Sequence, residues 1–586
     1  MGKIAAEALV ERLADWGVDT VFGLPGDGIN GIMEGLRRQS DRVRFVLVHH
    51  EEAAAFMATG YAKSTGRLGV CLATSGPGAI HLLNGLYDAK LDHMPVLAIT
   101  GMQETQMLGT GYQQEVALER LYMDVAEYNE MIHVPAQVNT LVDIAVRHAL
   151  TRRGVSHLTI PTDIQVADAG ANPWGAPAPA VIKETAPIYK PQSGIPRDED
   201  LRAAAEVLNA GEKVVMLVGA GALQARSAIL STADVLASPI VKTLSGKAAV
   251  PDDNPLTLGG LGLLGTAPSQ EVMETCDTLL MVGTNFPYTK YLPDSGACKV
   301  VQVETDPTRA GNRLATDVPL IGDSATVLGA LLPLLQRKQR DFLEAAQRSM
   351  AKWREKMAAV EEQDGDPIQP QRLMALIDKL AADDAILTSD SGTVATWAAR
   401  HFQIRGNRGF YLSGNLATMA PGLPYTIANQ WAFPKRQCIA FVGDGGFAML
   451  MAEFSTACRY HLPIKVIVNN NASLGQIMWE QLVLGYPEFG IRFSHQPDFA
   501  PWARACGGLG LQVDKAEQLE DSLKAAFAYD GPALVDVSVN PDEPPMPGKV
   551  NYEQAKGFVK AFLNGQPRRA TIASTLFRDK INELRH

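Results

Sequence analysis

The chain has 586 residues, 46% of them hydrophobic, and a formal net charge of −11 without a concentrated basic stripe. A chain this long forms several domains, and its charge argues against nucleic acid as a partner. Its six cysteines, at positions 71, 276, 298, 438, 458 and 506, form no CxxC pair, so we expect the reduced thiols of a cytoplasmic protein and no zinc site or disulfide framework.

Strand-like apolar runs alternate with helical patterns along most of the chain, which predicts an α/β fold of three successive doubly wound parallel sheets. Aperiodic or charged segments separate the three units. The predicted boundaries are 1–172 for the first unit, 173–196 for a Pro- and Ala-rich linker, 197–336 for the second unit, 337–368 for a charged helical linker, 369–541 for the third unit and 542–586 for a tail.

The first unit contains a glycine-rich turn that fits a dinucleotide-binding pattern. GDGING, residues 26–31, matches GxGxxG after a predicted strand, and Glu51 lies 20 residues beyond Gly31. In a dinucleotide fold that acid would bind a ribose. A nicotinamide-dependent dehydrogenase is therefore one hypothesis for this chain. Two further motifs follow, SGPGAIHLLNGLYDA at 75–89 and GYQQE at 111–115.

The second unit carries polar and aromatic residues where its predicted strands end. The motifs are VGAGA at 218–222, VGTNFPYTKYLP at 282–293 and VQVETDP at 301–307. A glycine turn together with aromatic residues can line a large planar cofactor, and an acid at a strand end can bind a ribose hydroxyl. The alternative is ordinary packing with a β-turn at Asp306.

The third unit predicts a metal site. CIAFVGDGGFAML at 438–450 and KVIVNNNASLG at 465–475 are two apolar runs that each end in a polar cluster. Asp444 and Asn471 are 27 positions apart, which is about one βαβ crossover, so both oxygens can meet at one edge of the sheet. Glycines around Asp444 permit close approach of an anion, and oxygen ligands suit Mg²⁺ or Ca²⁺. The pattern predicts a metal that holds a diphosphate.

The tail ends in PRRATIASTLFRDKINELRH. Ile572, Leu576, Ile581 and Leu584 fall near one helical face, and the basic residues lie largely elsewhere. Such a helix can lie on anionic lipid, and it can equally dock on its own protein or on a neighbouring subunit. No run of 18 apolar residues occurs in the chain, so we expect no membrane-spanning helix.

GDG followed by NN at this separation resembles the signature of thiamine diphosphate (ThDP) enzymes. The motifs of the first two units are similar to the pyruvate-oxidase and quinone-dependent pyruvate dehydrogenase branch of the acetolactate synthase-like superfamily. This resemblance covers about residues 1–560. It implies a pyrimidine-binding, a central FAD-binding-type and a diphosphate-binding domain, with ThDP, Mg²⁺ and FAD as cofactors. It also places ThDP between two subunits, which implies a homodimer at least and a homotetramer as the expected assembly.

The resemblance also implies roles for individual residues. Glu51 would bond to the aminopyrimidine, Gln114 would reach towards substrate, and Glu480 stands where pyruvate oxidases carry a glutamate. The implied metal ligands are Asp444, Asn471 and the carbonyl of Ser473. The residues implied to bind ThDP are Gly26, Pro77, Asn84, Gly392, Thr393, Met419, Gly443, Gly445, Gly446 and Gly475. Those implied to bind FAD are Gly219, Gly221, Gly283, Thr284, Asn285, Phe286, Glu304, Asp306 and Asp323.

The implied reaction is oxidative decarboxylation of pyruvate to acetate and CO₂, with electrons passed to quinone. Two alternatives stay open: a pyruvate oxidase that uses oxygen and phosphate, and a non-oxidative carboligase of the acetolactate-synthase type with structural FAD. The first stays open because the sequence does not fix the electron acceptor. The second stays open because the oxidases commonly have Phe where this chain has Gln476. EQAKGF in the tail resembles the quinone-linked enzyme, whose tail binds membrane, and so implies a cytoplasmic enzyme with a peripheral contact to the cell membrane.

Overall fold

The structure is a computed structural model that describes residues 2–169, 185–191, 194–545 and 552–575. Within these residues the chain forms three parallel sheets of six strands each, with helices on both faces. The predicted fold class, three successive doubly wound α/β units, is confirmed. Most of the predicted linker 173–196 lies outside the described residues.

The first sheet has the strand order β2-β1-β3-β4-β6-β5. Its strands are β1 (Thr20–Gly23), β2 (Arg44–Leu47), β3 (Gly69–Ala73), β4 (Val96–Met102), β5 (Ala126–Met131) and β6 (Val155–Pro161). Its helices are α1 (Ala5–Asp15), α2 (Asn30–Arg38), α3 (Glu51–Thr65), α4 (Pro77–His81), α5 (Leu83–Leu91), α6 (Leu118–Leu121), α7 (Val138–Arg152) and α8 (Thr162–Val166). The strands β3, β4 and β6 are buried throughout, as expected for a parallel sheet covered on both faces.

The second sheet has the order β12-β11-β10-β7-β8-β9. Its strands are β7 (Val214–Val218), β8 (Ile240–Lys242), β9 (Thr257–Gly260), β10 (Thr278–Val282), β11 (Lys299–Glu304) and β12 (Val318–Ile321). Its helices are α9 (Asp198–Ala210), α10 (Arg226–Val235), α11 (Ala267–Thr275) and α12 (Ser324–Leu331), and α13 (Asp341–Glu361) leads to the third unit.

The third sheet has the order β14-β13-β15-β16-β18-β17. Its strands are β13 (Ile386–Ser389), β14 (Gly409–Tyr411), β15 (Cys438–Gly443), β16 (Lys465–Asn470), β17 (Leu509–Val513) and β18 (Ala533–Ser538). Its helices are α14 (Pro370–Leu380), α15 (Thr393–His401), α16 (Gly422–Ala432), α17 (Asp444–Leu450), α18 (Glu453–Arg459), α19 (Gly475–Val483), α20 (Phe499–Ala505) and α21 (Ala516–Ala528). All of its strand pairs are parallel, so their carboxyl ends share one edge.

The first and third units share one hydrophobic core, built where α3 packs on α16. Phe56 and Tyr425 meet edge to face at 6.3 Å within this core. A Cβ on Gly60 would lie 2.7 Å from the Tyr425 ring, so the absence of a side chain there lets the two helices approach closely. The two units are therefore held in one relative position by apolar burial.

A buried ionic cluster reinforces the same contact. The Lys63 ammonium group lies 2.7 Å from Asp92 and 3.3 Å from Asp88, and it donates to the Leu412 carbonyl and the Tyr425 hydroxyl, each at 2.8 Å. Lys63 is on α3, whereas Leu412 and Tyr425 belong to the third unit. Burial raises the pKa of Asp88 to about 6, even though Lys63 opposes the shift. Lys63 thus serves both carboxylates, and at Asp88 the effect of burial outweighs the attraction of the ammonium group.

The tail packs on its own chain as far as the structure describes it. Helix α22 (Tyr552–Leu563) lies against α19, and a Cβ on Gly557 would meet the Val483 carbonyl at 1.8 Å. Ile572, predicted on an apolar face of the tail, is fully buried in a cluster with Trp479. Leu576, Ile581 and Leu584 lie outside the described residues. None of the helices described here is long and apolar enough to cross a membrane.

Candidate active site

The carboxyl ends of β15 and β16 bring Asp444 and Asn471 together. The strands pair in parallel with Gly443 opposite Asn469, so the chain leaves both at the same edge. Asp444 is 1% exposed, and its carboxyl group accepts a hydrogen bond from the backbone N–H of Asn471. Burial raises the pKa of Asp444 to about 6, although a hydrogen bond from Gln496 opposes the shift. A bound cation would favour the ionised form.

Other residues predicted to bind Mg²⁺ or diphosphate surround this pair. The Asn471 side-chain oxygen accepts from the Ser473 N–H at 3.1 Å, which folds the loop into a tight turn. A Cβ on Gly475 would lie 2.7 Å from Asn471 Nδ2 and 3.3 Å from Thr393. Thr393 begins α15 after Gly392, whose φ of +117° favours glycine. The structure thus gathers these residues at one edge, and their role as ligands stays a prediction.

Asp390, a residue that the sequence reasoning missed, joins this edge to the loop of Met419. Its Oδ1 accepts from the Gly422 N–H at 2.8 Å, and the Ala420 N–H also bonds to the carboxyl group. A Cβ on Gly446 would lie 2.0 Å from Asp390 Oδ2. Burial raises the pKa of Asp390 to about 7. Its signal in the sequence is an acid directly after the short buried strand ILTS, residues 386–389.

Glu51 begins α3 in the first unit and is 7% exposed. Its Oε2 lies 2.9 Å from His81 Nδ1, and the His81 ring stacks on that of His50 at 4.6 Å. A Cβ on Gly78 would lie 3.1 Å from Glu51 Oε1, so the turn after β3 leaves room beside this oxygen. The spacing of the histidines had not indicated that His81 would be the partner of Glu51.

Gln114 lies next to the same turn. A Cβ on Gly76 would meet the Gln114 Cβ at 2.8 Å, and Ser75 Oγ donates to Gln114 Oε1 at 3.3 Å. The Gln114 backbone has a φ of +63°, which non-glycine residues rarely adopt. Gln114 and Glu51 therefore flank one turn, with Pro77 between Gly76 and Gly78.

Residues of the first unit pack tightly against the GDGING turn at 26–31. A Cβ on Gly26 would lie 2.5 Å from Thr74, and one on Gly28 would lie 2.6 Å from Ser75 Oγ. The Gln165 amide also donates to the Gly28 carbonyl at 2.8 Å. The glycines here permit close packing on the end of β3, and this packing accounts for the turn without a dinucleotide.

Asn84 contacts residues of both the first and the third unit of the same chain. Its amide donates to Glu52 Oε1 at 2.6 Å and to Thr418 Oγ1 at 3.3 Å. Thr418 directly precedes the half-buried Met419. Asn84 thus links the helix that begins at Glu51 to the loop that contains Met419.

The motifs of the second unit meet at the carboxyl edge of its sheet. The Gly221 N–H donates to the Gly283 carbonyl at 2.9 Å, and a Cβ on Gly219 would lie 2.5 Å from Thr284. Asn285 Oδ1 is buried and has no hydrogen-bond partner among the described residues. This edge therefore presents a buried polar atom that a bound ligand could satisfy.

The other predicted FAD residues make local contacts. Phe286 is 6% exposed and packs in the core of the second unit, edge to face with Tyr288. Glu304 Oε1 accepts from the N–H of Thr305 at 2.8 Å, and the Asp306 and Asp323 carboxyl groups accept from the backbone N–H of Thr308 and Ala325. Asp323 is the N-cap of α12. These residues lie at the ends of strands, as predicted, and their contact with a cofactor stays a prediction.

A lysine pair at the end of β8 was not predicted. Lys242 is 1% exposed and lies 2.6 Å from Asp252, which Lys247 approaches to 3.3 Å. Burial lowers the pKa of Lys242 to about 8, although Asp252 opposes the shift. A Cβ on Gly246 would lie 2.7 Å from Gly219 Cα, so this loop contacts the glycine turn after β7.

Helix α19 carries the two residues on which the choice between an oxidase and a carboligase was predicted to depend. Gln476 donates from its amide to Glu480 Oε1 at 3.1 Å, one helical turn away. Glu480 is exposed, and the neighbouring Trp479 is buried against the tail. The Glu480 carboxylate is therefore oriented by Gln476 within the described chain.

Both sheet edges suit polar ligands. In the described part of the chain, Asp390 Oδ2, Asn469 Oδ1 and Ser473 Oγ are buried without a hydrogen-bond partner. Buried polar atoms are normally paired. An edge with three unpaired polar atoms therefore fits a ligand that has many oxygen atoms and binds together with a metal ion. These residues fit ThDP with Mg²⁺ at the third sheet, and Asn285 fits a polar cofactor at the second.

Three family models match the chain in the order of its sheets. The N-terminal thiamine pyrophosphate (TPP) binding domain of thiamine pyrophosphate enzymes matches residues 4–121. The central domain of these enzymes matches 201–331, and the C-terminal TPP binding domain matches 390–537.

Relatives match almost the whole chain. The protein YdaP of Bacillus subtilis (strain 168), whose name refers to thiamine pyrophosphate but to no reaction, is 42% identical over 96% of this chain and 96% of its own. A pyruvate oxidase of Lactiplantibacillus plantarum is 32% identical over 94% of this chain and 91% of its own. An acetolactate synthase large subunit of Porphyra purpurea is 31% identical over 98% of each.

Proposed function

The chain belongs to the thiamine pyrophosphate enzymes, and from this premise we propose that it oxidatively decarboxylates pyruvate to acetate and CO₂ with ThDP, Mg²⁺ and FAD, and passes the electrons to quinone. The coarser activity, ThDP-dependent chemistry on a 2-keto acid, follows from the family and its relatives. The substrate, the flavin and the acceptor are the proposed parts.

The main support for a ThDP site comes from the buried polar residues at the carboxyl edge of the third sheet. When bound, ThDP supplies a nucleophilic carbon and an electron sink for CO₂ loss. Asp444, Asn471 and the Ser473 carbonyl would hold Mg²⁺ through oxygen, the ligand type that this ion prefers. Asp390 would keep the Met419 loop against the GDGG turn through its bonds to the backbone.

We assign the role of proton-transfer group to Glu51. Its Oε1 faces the turn at Gly78, and its Oε2 is held by His81. A carboxyl group fixed by one oxygen can take up or release a proton at the other without reorienting. Gln114, on the other side of the same turn, would bind the substrate by hydrogen bonds.

Two observations support the oxidative step: an unpartnered polar atom at the carboxyl edge of the second sheet, and a relative that is a pyruvate oxidase. Asn285 Oδ1 is buried and unpartnered among the described residues, beside the glycine turns at the same edge. A pyruvate oxidase matches the chain over 94% of its length. FAD at this edge would receive the electrons that decarboxylation releases.

Anaerobic addition of pyruvate is expected to bleach the oxidised flavin absorbance of the purified enzyme, and a water-soluble quinone should restore it. The physical reason is that a redox-active flavin must accept two electrons for each pyruvate oxidised. Stopped-flow spectroscopy measures both steps. A flavin that stays oxidised while CO₂ is released would contradict the oxidase, and restoration by oxygen but not by quinone would contradict the acceptor.

The second candidate is a carboligase that joins two 2-keto acids, with FAD as a structural group. It is favoured by Gln476, which stands where the oxidases commonly have Phe, and by the acetolactate synthase relative at 31% identity. The same experiment separates the two functions, because a carboligase would form acetolactate from pyruvate with the flavin still oxidised.

Two inactive variants are expected to complement each other if the site lies between subunits. Co-expressed, differently tagged Glu51→Gln and Asp444→Ala chains would give a heterodimer with one site intact and the other doubly altered. We expect activity to return in the heterodimer purified through both tags. A heterodimer as inactive as either homodimer would contradict the shared site, because a site within one chain cannot be restored by its partner.

A further inference from the structure

Two cysteines of the second unit lie side by side at the amino ends of neighbouring strands. Cys276 is two residues before β10, and Cys298 is one residue before β11. The strands pair in parallel with Thr278 opposite Lys299. The Lys299 N–H donates to the Asp277 carbonyl at 2.8 Å, and each cysteine directly precedes one end of that bond. The two side chains belong to one apolar cluster of the second unit, where a hydrogen bond couples their thiol groups.

The two thiols differ in exposure and acidity. Cys276 is 7% exposed, whereas Cys298 is half-buried. The hydrogen bond between them raises the pKa of Cys276 and lowers that of Cys298, although burial and the carboxylates of Asp317 and Asp277 act against ionisation of Cys298. The thiolate is the reactive form of cysteine, and Cys298 is the more exposed of the two thiols, so Cys298 is the one that an oxidant in solution can reach first.

The other cysteines form a useful contrast. Burial raises the pKa of Cys71, Cys438, Cys458 and Cys506 above the ordinary value. Among the described cysteines, Cys298 is thus the one whose surroundings favour the thiolate. Susceptibility to oxidants follows thiolate character and exposure, particularly where a second thiol stands ready to resolve the product.

We propose that Cys276 and Cys298 form an oxidation site that hydrogen peroxide converts into an intramolecular disulfide. The Cys298 thiolate attacks one peroxide oxygen, so that an S–O bond forms, the O–O bond breaks and hydroxide leaves. Cys276 then loses its proton and attacks the Cys298 sulfur, which forms the S–S bond and releases the second hydroxide. With the two thiol protons, both hydroxides become water. Two thiols are oxidised and one peroxide is reduced.

The disulfide would join β10 and β11 at the edge of the sheet opposite to Gly283 and Glu304. The strands of 5 and 6 residues separate the disulfide from that cofactor edge. A cross-link constrains the unfolded chain more than the folded one. We therefore expect the oxidised protein to unfold at a higher temperature with an unchanged flavin content. This inference does not rest on the proposed reaction.

To test this, the purified wild-type protein is treated with hydrogen peroxide and its remaining thiols are blocked by alkylation. The protein is then digested without reduction, and the peptides are mapped by mass spectrometry. The expected result is a linked pair of peptides containing Cys276 and Cys298, a mass lower by two hydrogens, and full reversal by dithiothreitol. Cys298→Ser should abolish the link, and the matched control Cys458→Ser should keep it.

The wild-type map decides the matter even if a variant fails to fold. Oxidation of Cys298 to sulfinic acid without a link to Cys276 would overturn the proposal. So would a map in which Cys458 and Cys506 are linked while Cys276 and Cys298 still react with the alkylating reagent.

Discussion

Replacing Glu51 by glutamine is expected to lower kcat by about 10²–10⁴-fold, the range in which a positioned proton-transfer group contributes. An amide of the same shape can still pack at the start of α3 and contact His81, but it cannot take up and release a proton. We therefore expect ThDP to remain bound. Steady-state kinetics, cofactor content and the exchange rate of the cofactor's C2 proton measure the three consequences.

The matched control is Glu52→Gln on the same turn of α3. Glu52 accepts a hydrogen bond from Asn84, and an amide oxygen can accept the same bond, so we expect kcat to stay within a few-fold of wild type. Undiminished turnover by the E51Q variant with its ThDP bound would remove Glu51 from proton transfer. Loss of ThDP from that variant would show a role in binding instead.

Replacing Lys63 by methionine is expected to lower the free energy of unfolding by about 3–5 kcal/mol, the cost of leaving buried charges without their partner. Methionine keeps the apolar stem, so the change isolates the ammonium group. Without it, Asp88 and Asp92 bind protons more readily in the folded than in the unfolded state, and the folded state gains stability as pH falls. The deficit relative to wild type should therefore shrink between about pH 7.5 and about pH 5.5 in urea unfolding.

Lys299→Met provides the control for this prediction. Lys299 lies 2.7 Å from Asp317, the same distance as Lys63 from Asp92, but its side chain is 68% exposed. Exposed pairs of this kind contribute little to stability, because water and salt screen them. A Lys63→Met deficit as small as the control, or one that does not change with pH, would mean that the cluster does not hold the first unit against the third.

The fold could be predicted where the strands are apolar on both faces. Runs such as β7, β10 and β15 are buried throughout or nearly so, and a parallel sheet produces that pattern. β8 and β12 are only 3 and 4 residues long, and β5 reads AEYNEM at the edge of its sheet. Short or polar edge strands have too little apolar periodicity to be recognised from sequence.

The site was predictable where residues follow a strand at a defined spacing. Asp444 and Asn471 meet because one crossover separates them along the chain. Asp390 follows a strand directly, but its contact with Gly422, 32 residues on, is set by tertiary packing. The same holds for His81 and Glu51, which are 30 residues apart. The groups that one βαβ crossover brings together were thus predictable, whereas contacts made by tertiary packing within a unit were not.

The backbone of Gln114 has a consequence for enzyme engineering. Its φ of +63° and its contact with Gly76 mean that the shape of the main chain restricts which side chains this position can carry. Valine, isoleucine and threonine would be strained there, whereas asparagine and glycine would be tolerated. A variant library meant to widen the range of accepted keto acids would therefore gain little from branched residues at this position.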